Sequence, residues 1–146
     1  MPTSKRQALV TAMDTRLKTI LTAGGYETNL GQNVKIWRQE PFADTEQGIV
    51  LEDAEEVPTW IGAGTQLHRL TFAVKVVLPA SAPQTEIRSA VADVFTAVGT
   101  DLTFGGLAED CVLGSVEMAV GQEGTLHAGA IVSVIMEYQT EPWSAY

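Results

Sequence analysis

Apolar and polar positions alternate along Leu67 to Leu78: Leu70, Phe72, Val74, Val76 and Leu78 share one parity, against Arg69, Thr71, Ala73, Lys75 and Val77 on the other. Side chains of a strand point to opposite faces with period two, so the segment predicts a long strand with one apolar and one wetter face. An antiparallel sheet solvated on one side is the expected scaffold. Two other segments carry helical spacing. Leu9, Met13, Leu17, Ile20 and Leu21, with Val10 beside them, predict a helix from Thr3 or Ser4 to Ala23, ended by Gly24-Gly25. Its Lys5, Arg6, Arg16 and Lys18 are left for the outer face. Ile87, Val91, Val94, Phe95 and Val98 predict a second helix that starts at Pro83 and is capped at Gly99, with Arg88 and Asp93 outward.

Shorter signals fill the remainder. Val34 and Ile36 predict a short strand reaching toward Trp37-Arg38, which Glu40-Pro41 ends or bends. Ile49 to Leu51 begins a second apolar run that dissolves into Glu52, Asp53, Glu55 and Glu56, and Pro58 to Thr65 reads as a loop or hairpin return. The last third reads as a hairpin. Val116, Met118 and Val120 alternate with Glu117 and Ala119, Gly121-Gln122-Glu123-Gly124 turns, and Ala130 to Tyr138 returns. The return strand is apolar on nearly both faces, which places it centrally in the sheet or under another subunit.

Length and cysteine usage narrow the class. A chain of 146 residues is expected to form one domain, 1–146, burying roughly 68–70% of the surface its unfolded form exposes. Cys111 is the single cysteine, so neither an internal disulfide nor a cysteine metal cluster within one chain is possible. Thr11, Asp14, Arg16 and Lys18 interrupt the first apolar segment, so no secretory leader and no membrane span is expected there, and the protein reads as soluble.

The net charge of −9 is unevenly spread. Residues 1–38 carry +4, residues 39–68 carry −7 with no Lys or Arg, residues 69–88 carry +2, and residues 89–146 carry −8, again with no Lys or Arg. This disfavours a nucleic-acid binder, whose affinity depends on cations neutralising phosphates. Two readings remain: a solvated acidic surface, or a basic N-terminal part of one subunit facing the acid-rich residues 40–56 of another.

Candidate chemistry is sparse. His68 and His127 are the only histidines and stand in no ligand spacing, so His68 reads as a satisfied or half-exposed strand residue and His127 as a turn neighbour. Cys111 lacks a nucleophile signature, and Glu109 and Asp110 beside it raise rather than lower a thiol pKa. Of the paired acids Glu52-Asp53, Glu55-Glu56 and Glu109-Asp110, the first two lie in a run too dense and regular for a calcium loop, and the pairs read as solvated loop charge or as subunit contacts. Gly62-x-Gly64 and Gly105-Gly106 lack phosphate-loop spacing and read as turns. No catalytic residue, cofactor site or metal site is expected. Trp37, Trp60 and Trp143 fall near loops and edges, where an aromatic can anchor an interface.

The order of elements carries the rest. An opening Arg6-Gln7-Ala8-Leu9-Val10 helix, Val34-Lys35-Ile36-Trp37, the alternating Leu70 to Leu78 strand, the Glu86-Ile87-Arg88 helix start and a last strand ending Met136-Glu137-Tyr138 together resemble the phage tail terminator or tail completion proteins over nearly the whole length. The resemblance implies an α+β fold, a mostly antiparallel β-sheet with two α-helices packed on one face. It implies a structural, non-enzymatic virion protein of the tail, present in the host cytoplasm during assembly. Its partners would be itself, as a ring that is commonly hexameric, the tail tube protein and a head-tail connector protein. Such a ring ends tube polymerisation and offers a surface for head joining. A head-tail connector component is the alternative within virions, and a small-molecule-binding or enzymatic α+β domain is the alternative outside them. Charge and expected exposure nominate Arg16, Lys18, Trp37, Arg38, Glu52, Asp53, Glu55, Glu56 and Trp60 for subunit contacts. An acid-lined lumen would repel phosphates and let DNA pass without tight binding, and no membrane contact is expected.

Overall fold

The alternation from Leu67 to Leu78 becomes the middle of a 15-residue strand in a computed structural model that describes residues 2–38, 40, 42–43, 45–62, 64–119 and 127–146. In chain order the elements are α1 (Lys5–Leu17), β1 (Val34–Ile36), β2 (Gly48–Gly62), β3 (Thr65–Pro79), α2 (Gln84–Gly99), β4 (Asp110–Ala119) and β5 (His127–Thr140). Two short 3-10 turns, Thr22–Gly24 and Leu30–Gln32, lie between α1 and β1. The five strands form one sheet in the order β1-β2-β3-β5-β4. β1 and β2 run parallel, and every other neighbouring pair is antiparallel. The fold is α+β, as the sequence predicts.

Register puts one parity of each strand on a common face. Leu70, Phe72, Val74 and Val76 of β3 stand opposite Met136, Val134, Val132 and Ala130 of β5. On the other side Val74 and Val76 meet Leu51 and Ile49 of β2. These side chains join Leu9, Met13 and Leu17 of α1 and Ile87, Ala90, Val94 and Ala97 of α2 in one buried cluster. The helices therefore cover a single face. The opposite face, with Arg69, Thr71, Lys75, Ile131, Ser133 and Ile135, is left partly or fully exposed. β5 is central, paired on both sides, which explains an apolar run on both parities. Tight approach fixes Gly129 in that strand, since a Cβ there would lie 1.9 Å from the Val76 carbonyl oxygen.

Several elements depart from their predicted limits. α1 begins under a cap from Ser4, whose hydroxyl accepts from Gln7 N, but ends at Leu17 instead of Ala23. There the Thr19 hydroxyl donates to the Arg16 carbonyl and the chain turns to bury Ile20, a local alternative to further helix. Gly25, at φ 93°, ends the following 3-10 turn instead. The predicted loop from Pro58 is strand: β2 pairs with β3 up to Gly62 opposite Thr65, and the acids Glu52, Asp53 and Glu56 find partners instead of breaking it. Pro58 is tolerated because β1 ends at the level of Leu51, leaving this part of β2 a sheet edge with no ladder on its far side among the described residues. Asp93, expected outward, is 4% exposed and accepts from Glu27 N, Thr28 N and the Thr28 hydroxyl, tying the loop after α1 to α2. β4 starts at Asp110, earlier than predicted, and the turn expected at residues 121–124 lies outside the described residues.

Phe72 has no exposed surface and sits in the middle of the covered face. Phe72→Ala is expected to cost about 3–5 kcal/mol, read as a lowered urea midpoint with unchanged slope.

Candidate functional site

Asp53 and Glu56 reach the covered face of β2 together because a register shift falls between Asp53 and Glu55. α1 meets them with Arg6. Its Nε donates to Asp53 Oδ2 at 2.7 Å, an Nη2 donates to the Asp53 carbonyl at 3.1 Å, and Nη1 lies 3.9 Å from Glu56 Oε2. The Trp37 indole donates to Asp53 Oδ1 at 2.6 Å. Burial alone would raise the Asp53 pKa, but the hydrogen bonds from Trp37 and Arg6 outweigh it and hold the carboxyl below its ordinary value.

β5 closes the cluster. The Tyr138 hydroxyl donates to Glu56 Oε1, and burial followed by this bond to a carboxylate pushes its pKa far up. The His68 ring stacks on Tyr138 with centroids 4.7 Å apart, its Nε2 hydrogen-bonded to Thr140 Oγ1 at 2.7 Å and its Nδ1 3.5 Å from Glu56 Oε2. Beside it lies an open cleft of about 480 Å³ lined by Arg6, Glu56, Pro58, His68, Tyr138 and Trp143. The polar groups around this cleft bind mostly one another, so the cluster reads first as a clamp holding α1 to the root of the β2–β3 hairpin.

The nine nominated contact residues divide into two sets. Asp53 and Glu56 are engaged by Arg6 of the same chain, and Glu52 takes Lys75 at 2.8 Å. The complementarity expected between subunits, basic first helix against acid-rich β2, is thus met inside one chain at Arg6. Arg16 is also turned inward. Its Nη1 donates to the carbonyls of Ala97, Val98 and Asp101, and its guanidinium lies 4.2 Å from the Phe104 ring centroid. It thereby places a cation at the C-terminus of α2, where one is favoured, and adds to the bonds that Thr100 and Phe104 make to the Ala97 and Asp101 carbonyls. Lys18 pairs with Asp14 one turn back. Outward remain Glu55, Trp37 at 52% exposure and Trp60 at 61%, with Arg38 half-buried over the Phe42 ring.

Further apolar surface escaped the sequence reading. Val57 and Ile61 flank Trp60 on the outer half of the hairpin, and all three are exposed. At the other edge, Phe95 and Leu102 of the α2 region and Val112 and Leu113 of β4 line a shallow apolar groove of about 150 Å³, with Leu113 54% exposed. By period Phe95 falls in the helix stripe, and the alternation predicts a shorter β4, so nothing in the periodicity marks this groove. Cys111 forms part of its floor, and burial, followed by the charge of Asp110, pushes its thiol up to about 11, too high for a thiolate nucleophile near neutrality. His127 is held by the Phe42 carbonyl through Nε2 at 2.9 Å.

Among the described residues, no group of three or more His, Cys, Asp or Glu is placed to hold a metal ion, and no helix is long and apolar enough to cross a membrane. The chain matches no protein-family model and no curated protein sequence.

Two predictions follow from the inward-turned charges. Arg16→Ala is expected to lower stability by about 1–3 kcal/mol through the lost carbonyl bonds, whereas Lys18→Ala, which removes an exposed pair with Asp14, changes it by less than about 0.5 kcal/mol; urea denaturation of both variants measures the contrast. Asp53 has a folded pKa below its unfolded value. It therefore adds stability above the ordinary value of 3.8, and loses it as pH falls through the lower folded value. Asp53→Asn is expected to be less stable than the parent at neutral pH, with the gap narrowing toward about pH 2, followed by denaturation midpoints across the acid range.

Proposed function

We propose that this chain is a structural protein of a phage tail, a tail terminator that caps the end of the tail tube as an oligomeric ring. The ring would be hexameric, stop tube polymerisation and present a surface to a head-tail connector protein, with no bond made or broken. Its place is the tail of the virion, after assembly in the host cytoplasm. Two things support the reading. The order of elements resembles the terminator family along nearly the whole chain. The observation that carries it is the amount of large apolar side chain left in solvent at two separate places, Val57, Trp60 and Ile61 on the hairpin and Phe95, Leu102 and Leu113 at the opposite side. Unlike patches at separate places suit a head-to-tail contact that closes by rotation, where one patch meets the other on the next copy.

A second reading draws on the His68 cleft, whose carboxylate, imidazole, phenol and guanidinium face one opening of about 480 Å³. That volume falls in the range of small-molecule sites, and the reading would make the chain a ligand-binding domain.

Electron microscopy of the purified protein, alone and with tail tubes, separates the two. The terminator reading expects rings at the tube ends and tubes that stop growing once the protein is added. It also expects no tight binding of duplex DNA at physiological salt. Tubes that elongate unchanged and carry no density at their ends would overturn it.

A further inference from the structure

The two outer edges of the sheet stand at the same level and carry opposite charge. Residue partners run straight across all five strands: Lys35 of β1 meets Val50, Val50 meets Lys75, Lys75 meets Ile131, and Ile131 meets Glu117 of β4. Side chains in one such row share a face, so Lys35 and Glu117 lie at opposite ends of the uncovered face. The next row runs from Ile36 through Leu51, Val74 and Val132 to Val116. On the helix-covered face it therefore ends in an apolar residue at each edge. Both Lys35 and Glu117 are exposed, and neither joins an ion pair among the described residues.

The wider surroundings keep this polarity. Arg38 follows Lys35, with Glu40 beyond it; Glu109 and Asp110 open β4, and no Lys or Arg occurs anywhere in residues 89–146. Arg16, which approaches from α1, is committed to the α2 carbonyls. Among the described residues β4 also keeps an unpaired backbone edge, without the lysine or proline that usually guards one.

We infer that the β1 edge of one copy docks on the β4 edge of a second copy of this chain, Lys35 facing Glu117 and Ile36 facing Val116, so that the sheet continues from subunit to subunit. A closed ring has rotation without displacement along its axis. Edges at the same level then meet when the strands run along that axis, and faces continue without inversion, which keeps charge against charge and apolar against apolar. The contact is heterologous, and it rests on the ring reading above while naming the surfaces that close the ring.

Charge swapping tests it. Lys35→Glu leaves acids on both edges, and Glu117→Lys leaves bases on both. Each variant alone is expected to need at least about tenfold more protein to assemble, measured by sedimentation velocity across a concentration series at low and physiological salt. Mixing the two variants, or placing both substitutions in one chain, is expected to restore assembly, because every junction again joins opposite charges. Circular dichroism and urea denaturation of each variant establish that the monomer fold is intact.

Wild-type protein that stays monomeric at millimolar concentration overturns the inference. So does assembly that both single variants support as well as wild type, or loss in the single variants that neither mixing nor combination reverses. A two-fold dimer that forms no larger species does the same. The ring reading fails separately, by unchanged growth of tail tubes in the presence of the wild-type protein. Tubes capped by both single variants as well as by wild type would leave the terminator role standing and remove the docking edges.

Discussion

The pairing of β3 with β5 is the constraint on which the rest of the molecule depends. It runs without a register shift from Gln66 opposite Thr140 to Pro79 opposite His127, and both strands have a second neighbour. Because side chains alternate with period two, a slip of one residue would send Leu70, Phe72, Val74 and Met136 to the uncovered face and bring Thr71, Lys75 and Glu137 under the helices. Burial cost forbids that exchange, so the hydrophobic pattern of two strands fixes the position of every other element. α1 and α2 then have a single apolar face to cover, and the other face remains for solvent or for a neighbouring subunit.

Charges follow from this arrangement. Once the sheet sets the faces, Arg6 arrives over Asp53 and Glu56, Lys75 over Glu52, and Arg16 over the end of α2. Much of the basic N-terminal region is thereby used to hold the domain together. What is left for contacts is a smaller and more informative set: Lys35 and Arg38 near one edge, Glu109, Asp110 and Glu117 at the other, and apolar groups beside each. Arg6, Lys18 and Lys75 are thus paired within the domain, whereas Lys35 and Glu117 at the two edges join no ion pair among the described residues.

The described His68 cluster shows the same economy. Its phenol is bound to the Glu56 carboxylate and its imidazole to the Thr140 hydroxyl, and the raised Tyr138 pKa comes from burial and then from the bond to Glu56. Perturbed groups gather at structural clamps as well as at active sites, so the cluster by itself does not assign a reaction.

Local pattern alone settled the long central strand with its buried parity, a first helix opening at Thr3 or Ser4 and a second helix between Pro83 and Gly99, because period and capping chemistry are properties of contiguous residues; the α+β class came with the resemblance in element order. It misjudged β2, where Glu52, Asp53, Glu56 and Pro58 look like strand breakers until partners distant in the chain, Lys75, Arg6 and Tyr138, are brought beside them. It misjudged Arg16, Asp93 and Phe95 for the same reason: a helical residue's period tells which way it points, and not what stands there. The level alignment of Lys35 with Glu117 was hidden altogether, since it is a sum of four strand registers. Only the tertiary structure decided which charges were spent inside the domain and which were left at its edges, because that depends on long-range pairing and not on neighbours in sequence.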